Sequence, residues 1–167
     1  MPRVIETHSR SPRQTRELGR ALGELLSGGE VIELCGPLGS GKTELTKGLA
    51  VGLGIPEDEP VVSPTFVLVR EYVGRLRLYH CDAYRLRTVD ELLALGLEEM
   101  LEPGDSVIAI EWADRFPGVL PAEVFRVDLA HENQLSRRIH IAAPSRARAT
   151  QLRRRLAKTD CDARPAP

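Results

Sequence analysis

Apolar and polar positions follow two rhythms along this chain, and the changes between them predict its elements. Leu18, Leu22 and Leu25 recur at helical spacing behind Ser11, a capping residue, and Pro12, which suits a first helical turn. Gly28 and Gly29 stop that helix, and Val4 and Ile5 suggest a short strand ahead of it. Residues 30–35 read as a strand and 42–53 as a helix closed by Gly54. Two prolines make 60–64 a loop. Residues 66–72 and 76–81 are strand-like runs joined at Gly74, consistent with a hairpin. Thr88-Val89-Asp90-Glu91 is a capping box, opening a helix through Leu92, Leu93 and Leu97. The apolar run at 106–110 is that of a buried strand. Residues 124–129 and 137–141 read as a last hairpin, with a basic helix or tail behind it. The order predicts an α/β fold: a central mixed sheet flanked by helices, in a single domain over 1–143. Residues 144–167 are expected to form a basic C-terminal helix or a partly disordered tail.

Composition narrows the class. The 167 residues suit one compact domain. No apolar stretch approaches the ~20 residues that cross a bilayer. Residues 1–6 lack the apolar core of a secretion signal, so a cytoplasmic protein with no membrane partner is expected. Cys35, Cys81 and Cys161 are odd in number and lack C-x-x-C spacing, which argues for reduced thiols over a disulfide framework or a zinc site. The net charge of −1 hides an asymmetry: residues 137–158 carry eight basic side chains and no acid. Such a segment suits RNA phosphates or an acidic protein face, or is simply a solvated helix.

Gly36-Pro37-Leu38-Gly39-Ser40-Gly41-Lys42-Thr43 changes the picture most. It satisfies G-x-x-x-x-G-K-[ST] between a predicted strand and a predicted helix, the context a phosphate-binding P-loop requires. The glycines let the backbone approach phosphates, and successive N–H groups form an anion nest extended by the helix N-terminus. Gly36, Leu38, Gly39, Ser40, Gly41, Lys42 and Thr43 are therefore the expected ATP contacts. Lys42 supplies a point charge for the β and γ phosphates, and Thr43 a hydroxyl for Mg²⁺. The fold is then P-loop NTPase-like.

Hydrolysis needs further groups. Glu111 ends the buried run 107–110, where a strand tip delivers it to the nucleotide as a carboxylate for magnesium. Asp82 ends the run 76–81 and is the candidate to orient water. Ser63-Pro64-Thr65-Phe66 places Thr65 in a turn that can sense the γ-phosphate. His80 and Tyr84 share a face with Asp82 if that run stays extended, and His80 fits a core role as well as a catalytic one. Trp112 reads as a packing residue beside the site.

In order, Thr15-x-x-Leu18-Gly19, the loop 36–43, Ser63-Pro64-Thr65-Phe66, Tyr79-His80-x-Asp82-x-Tyr84-Arg85-Leu86 and Glu111-Trp112 resemble the TsaE family (formerly YjeE), over roughly residues 11–121. The resemblance implies an ATPase of bacterial tRNA threonylcarbamoyladenosine biosynthesis. In that family the ATPase joins a TsaD–TsaB pair, and TsaD transfers the threonylcarbamoyl group to the adenosine beside the anticodon. The resemblance also implies weak hydrolysis alone and stimulation by the partners. It carries the metal-binding roles onto Thr43 and Glu111, a functionally important acid onto Asp82, and a nucleotide-contacting arginine onto Arg138 or its neighbour Arg137. The family commonly has an acid where this chain has Pro37, which removes one N–H from the loop. Contact with tRNA is expected indirectly or through the basic tail.

Two other readings share the motif. A small-molecule or nucleotide kinase would use Arg85 and Arg87 in a lid over an acceptor. A nucleotide-gated binding module would hydrolyse ATP only incidentally. A regulatory GTPase is disfavoured, because the only asparagine, Asn133, is followed by Gln134-Leu135-Ser136 and not by the N-K-x-D of guanine selection.

Overall fold

The computed structural model describes residues 3–64, 68–120, 123–159 and 161–165. Its elements run β1 (Val4–Ser9), α1 (Pro12–Leu25), β2 (Glu30–Cys35), α2 (Lys42–Gly52), β3 (Val69–Val73), β4 (Arg77–Asp82), α3 (Val89–Leu93), α4 (Leu97–Leu101), β5 (Ser106–Glu111), β6 (Glu123–His131), β7 (Arg137–Ala142), α5 (Arg146–Leu156) and β8 (Asp162–Pro165). The strands form one mixed sheet in the order β3-β4-β5-β2-β6-β7-β1-β8. The four strands β4, β5, β2 and β6 run parallel at its centre, and antiparallel pairs complete both sides.

Period-two alternation on the buried strands builds two cores, one on each face. Ile32, Leu34, Val107 and Ala109 meet Leu18, Leu22, Leu45 and Leu49 of α1 and α2 on one face. Val31, Ile108 and Ile110 meet Leu92, Leu97 and Phe116 on the other. This α/β architecture, with helices on both faces of a mixed sheet, is the one the sequence predicts.

The helix starts are chemically specified. The Ser11 side chain accepts from the Gln14 N–H at 3.2 Å, and Thr88 from the Glu91 N–H at 3.2 Å. The helix predicted from Thr88 through Leu97 is instead two short ones, α3 and α4, parted at Gly96, whose φ is 75°. A residue in the left-handed region ends an α-helix, and a glycine takes that conformation at little cost. The strand predicted at 124–129 extends to 123–131. The strand predicted at 66–72 begins at Val69, after Leu68 with φ 65°, and residues 65–67 lie outside the described residues.

Residues 146–156 fold as α5, whose buried Ala149, Leu152 and Leu156 join the first core, and β8 pairs antiparallel with β1. Arg148 reaches the carboxylate of buried Glu30 and lies 5.4 Å from the Phe125 ring. Cys35, Cys81 and Cys161 are buried free thiols, and burial pushes Cys35 and Cys81 up to about 12. No helix among the described residues is long and apolar enough to cross a membrane.

α1 and α2 touch backbone to backbone. Gly19 and Gly23 on α1 face Gly48 and Gly52 on α2, and a Cβ added at any of the four would sit 1.9–2.4 Å from a carbonyl oxygen of the opposite helix. Only hydrogen fits there. The helix that carries Lys42 and Thr43 is thus seated directly on α1.

Candidate active site

The parallel centre of the sheet decides where chemistry gathers. β2, β4 and β5 point the same way, so their C-terminal ends open on one edge, the usual place for ligands in an open α/β sheet. The loop 36–43 leaves the end of β2. Asp82 and Glu111 end β4 and β5, and are register partners. A cavity of about 520 Å³ lies between them, lined among others by Lys42, Thr43, Ser63, Asp82, Glu111 and Trp112. Four of the five segments singled out by sequence therefore border one space.

The loop is built as its composition requires. Gly36 (φ 146°) and Gly41 (φ 104°) adopt backbone angles that side chains resist, and a Cβ on Gly36 would lie 2.5 Å from the Leu129 carbonyl oxygen. Pro37 starts a turn in which its carbonyl accepts from the Ser40 N–H at 3.1 Å. Leu38 stands 88% exposed at the crown. Ser40 is fully buried, and its Oγ has no hydrogen-bond partner among the described residues. Gly41 caps α2, leaving N–H groups of the first turn to a ligand; Thr43 stands half-buried in that turn.

Lys42 is 5% exposed. Its ammonium donates to the carbonyls of Gly36 (2.7 Å) and Pro37 (3.1 Å), and lies 4.4 Å from the centre of the Trp112 ring. Burial lowers its pKa, and the nearby carboxylates of Glu111 and Asp82 oppose that shift. The ring contact is worth about 0.5–2 kcal/mol. Trp112 earns its position through its backbone: its φ is 61°, a conformation costly for a residue with a Cβ, and its N–H donates to the Leu34 carbonyl at 3.1 Å. Tyr84 leans on the same ring at 5.1 Å, tilted by 51°.

The acids are held differently. Glu111, 4% exposed, bonds through Oε1 to Nε2 of fully buried His80 at 2.9 Å. Nδ1 of His80 has no partner among the described residues. The bond fixes the rotation of the carboxylate. Asp82 accepts from the Tyr84 N–H at 2.9 Å. Its pKa is raised, first by burial and further by Glu111, against the lowering by the Tyr84 hydrogen bond, His80 and Lys42.

The late hairpin meets the loop through Arg137. Its guanidinium donates to the carbonyls of Ser40 and Gly39, each at 3.2 Å, and to those of Asn133 (3.1 Å), Gln134 (3.2 Å) and Ser136 (3.1 Å). Arg138, the residue put first from the sequence, is exposed and lines a separate cavity of about 440 Å³ with Gly36, Pro37 and Asp128. Neighbours on a strand point to opposite faces, so one register cannot send both arginines to the same place. Thr65 lies outside the described residues. Spacing gave no sign of the His80–Glu111 bond or the Lys42–Trp112 contact. The clue available was the order Glu111-Trp112 at a strand end.

The donor set suits magnesium. No group of three or more His, Cys, Asp or Glu side chains able to hold a metal occurs among the described residues. One threonine hydroxyl and one carboxylate match an ion that keeps its waters and shares phosphate oxygens.

Residues 9–139 match the family model described as threonylcarbamoyl adenosine biosynthesis protein TsaE. The chain is 43% identical over 121 residues to the tRNA threonylcarbamoyladenosine biosynthesis protein TsaE of Treponema pallidum, covering 72% of this chain and 87% of that one. It is 47% identical over 131 residues to the protein of the same name from Nostoc sp., covering 76% and 78%. Its backbone is similar to the crystal structure of YdiB from Bacillus subtilis, with a TM-score of 0.72, 30% identity, and coverage of 96% of this chain and 98% of that one.

Proposed function

The chain belongs to the TsaE family of threonylcarbamoyl adenosine biosynthesis proteins, and from that footing we propose that it binds ATP with Mg²⁺ at Gly36–Thr43 and hydrolyses it. The proposed setting is threonylcarbamoylation of the adenosine beside the tRNA anticodon, in the cytoplasm, as the ATPase subunit of a complex with TsaD and TsaB. One observation carries the reading: Lys42, Thr43, Asp82 and Glu111 border a single cavity at the strand ends.

Each group then has a task. The loop amides and the N-terminus of α2 cradle the phosphates. Lys42 is held in the site by loop carbonyls and the Trp112 face, and supplies positive charge for the β and γ phosphates. Thr43 and Glu111 would hold magnesium, and His80 keeps the Glu111 carboxylate turned for it. Magnesium held there would supply charge neutralisation for the phosphates. Asp82 orients the attacking water, and its raised pKa gives it greater basicity for that proton.

Titration calorimetry with ATP tests the binding step. Lys42→Ala should weaken ATP binding at least tenfold, the loss of one charge-assisted contact worth about 1.5–3 kcal/mol. Thr43→Ala should weaken it far more with Mg²⁺ than without. Wild-type affinity in Lys42→Ala would end the reading. Phosphate release without any acceptor, rising when TsaD and TsaB are added, separates an ATPase from a kinase.

A further inference from the structure

The basic helix α5 and the turn after it line no part of the cavity at the strand ends, and the matched family model ends before them, at residue 139. From Asn133 to Thr159 the chain carries no acidic residue. The structure turns this run into a shaped surface. α5 docks through Leu152 and Leu156 beside α1, and a groove of about 680 Å³ opens between the two helices. Arg20 of α1 lines one side, and Arg154, Arg155 and Lys158 the other.

The acids in the groove are already committed. Glu17 pairs with Arg13 at 2.9 Å, and Glu24 is shared between Arg20 (3.0 Å) and Arg155 (3.1 Å). Exposed Arg154 and Lys158 have no ion-pair partner among the described residues. Arg154 stands on α5 and Lys158 in the turn that follows the helix, so the two open cations lie four residues apart along one rim of the groove. We propose that the α1–α5 groove is a docking surface for the phosphate backbone of RNA.

The lining favours RNA over an acidic protein. A protein interface core is built on aromatic and large apolar anchors, yet the groove offers only Ala21 and Leu25 beside its charges. Its neutral polar residues, Gln151 and Thr159, are donors of the kind that meet phosphate and sugar. Without aromatic stacking, the contact reads shape and charge, and carries no base specificity. The groove lies on the helical face that also bears α2, with α1 between α5 and the P-loop helix, so RNA and nucleotide occupy different places. That the polyanion is tRNA rests on the function proposed above.

The experiment is fluorescence anisotropy of the full chain with a labelled unmodified tRNA across 50–200 mM salt (order-of-magnitude range for phosphate contacts). In Arg154→Glu/Lys158→Glu, affinity should fall roughly tenfold or more near 0.1 M salt, and the slope of log K against log salt should shrink by about two. ATP affinity should stay at the wild-type value, showing that the nucleotide site is intact. Arg154→Gln/Lys158→Gln should fall between the two and covers the case in which glutamates fray the helix. An unchanged salt slope in both variants overturns the proposal, as does loss of TsaB–TsaD binding with tRNA affinity intact. Lys42→Ala should keep full tRNA affinity. If ATP binding fails altogether while the salt-sensitive RNA binding persists, the ATPase reading falls and the groove stands.

Discussion

Replacing Gly48 with alanine tests how the P-loop helix is held. The new Cβ would lie 1.9 Å from the carbonyl oxygen of Arg16, 2.6 Å from its carbon and 2.8 Å from its Cα. Ordinary contact begins near 3.4 Å, so the shortfall is 1.5 Å, against backbone that cannot swing aside. α1 and α2 must part by about that distance. The separation loosens Leu18, Leu22, Leu45 and Leu49, which are all fully buried. Overpacking of this kind costs about 1–3 kcal/mol and occasionally more. Alanine returns about 1 kcal/mol of helix propensity. For a contact this short the net loss falls at the upper end of the difference, up to about 2 kcal/mol, which would lower Tm by up to about 4–8 °C in a domain of this size. Differential scanning calorimetry reads it, with Lys47→Ala as the control one position earlier, where a half-exposed side chain loses only its pairing with Glu44. ATP affinity should fall along with Tm, because Lys42 and Thr43 ride on the displaced helix. A Tm at or above wild type would show that the two backbones can separate freely, and the close-contact account would fail.

Two further predictions concern the residues around the loop. Arg137→Ala removes five hydrogen bonds to carbonyls and should cost about 1–3 kcal/mol in chemical denaturation; Arg137→Lys should recover little, since an ammonium cannot span that fan of acceptors. Equal stability in Arg137→Ala would remove the arginine from loop support. The raised pKa of Asp82 means that the folded protein binds its proton more readily than the unfolded chain does, so this group withdraws stability as pH rises from the ordinary aspartate range, near 3.8, through the raised value. Asp82→Asn, which keeps an acceptor for the Tyr84 N–H, should therefore raise Tm at neutral pH in the absence of nucleotide, and the gain should vanish toward the acid end. A Tm gain that stayed constant with pH would point to packing and not to charge.

Much of the site was legible because its signals are local. The P-loop spells its own backbone geometry, and Asp82 and Glu111 could be placed because a parallel strand delivers its last residue to the ligand edge. What escaped depends on register and distance. Whether Arg137 or Arg138 faces the loop turns on one residue of strand pairing, fixed by His131 and Ser9 on the neighbouring strands. The His80–Glu111 bond joins positions 31 apart, which no local pattern connects. The glycines on α1 and α2 were visible at four-residue spacing, but a glycine inside a helix reads as weakness until the facing helix is known. The split of the helix after Thr88 was also written at Gly96, masked by the apolar spacing through Leu97.

The chain contains one tryptophan, and the fold spends it on Trp112. Its indole touches both the Lys42 ammonium and the Tyr84 ring, so all the tryptophan emission of the protein originates at a single, chemically charged spot. Any event that draws the ammonium away or turns the phenol alters the quenching of that one fluorophore. Stopped-flow optics can follow the loop at its own speed with no label attached, and the same signal marks the moment at which the strand ends come apart on unfolding.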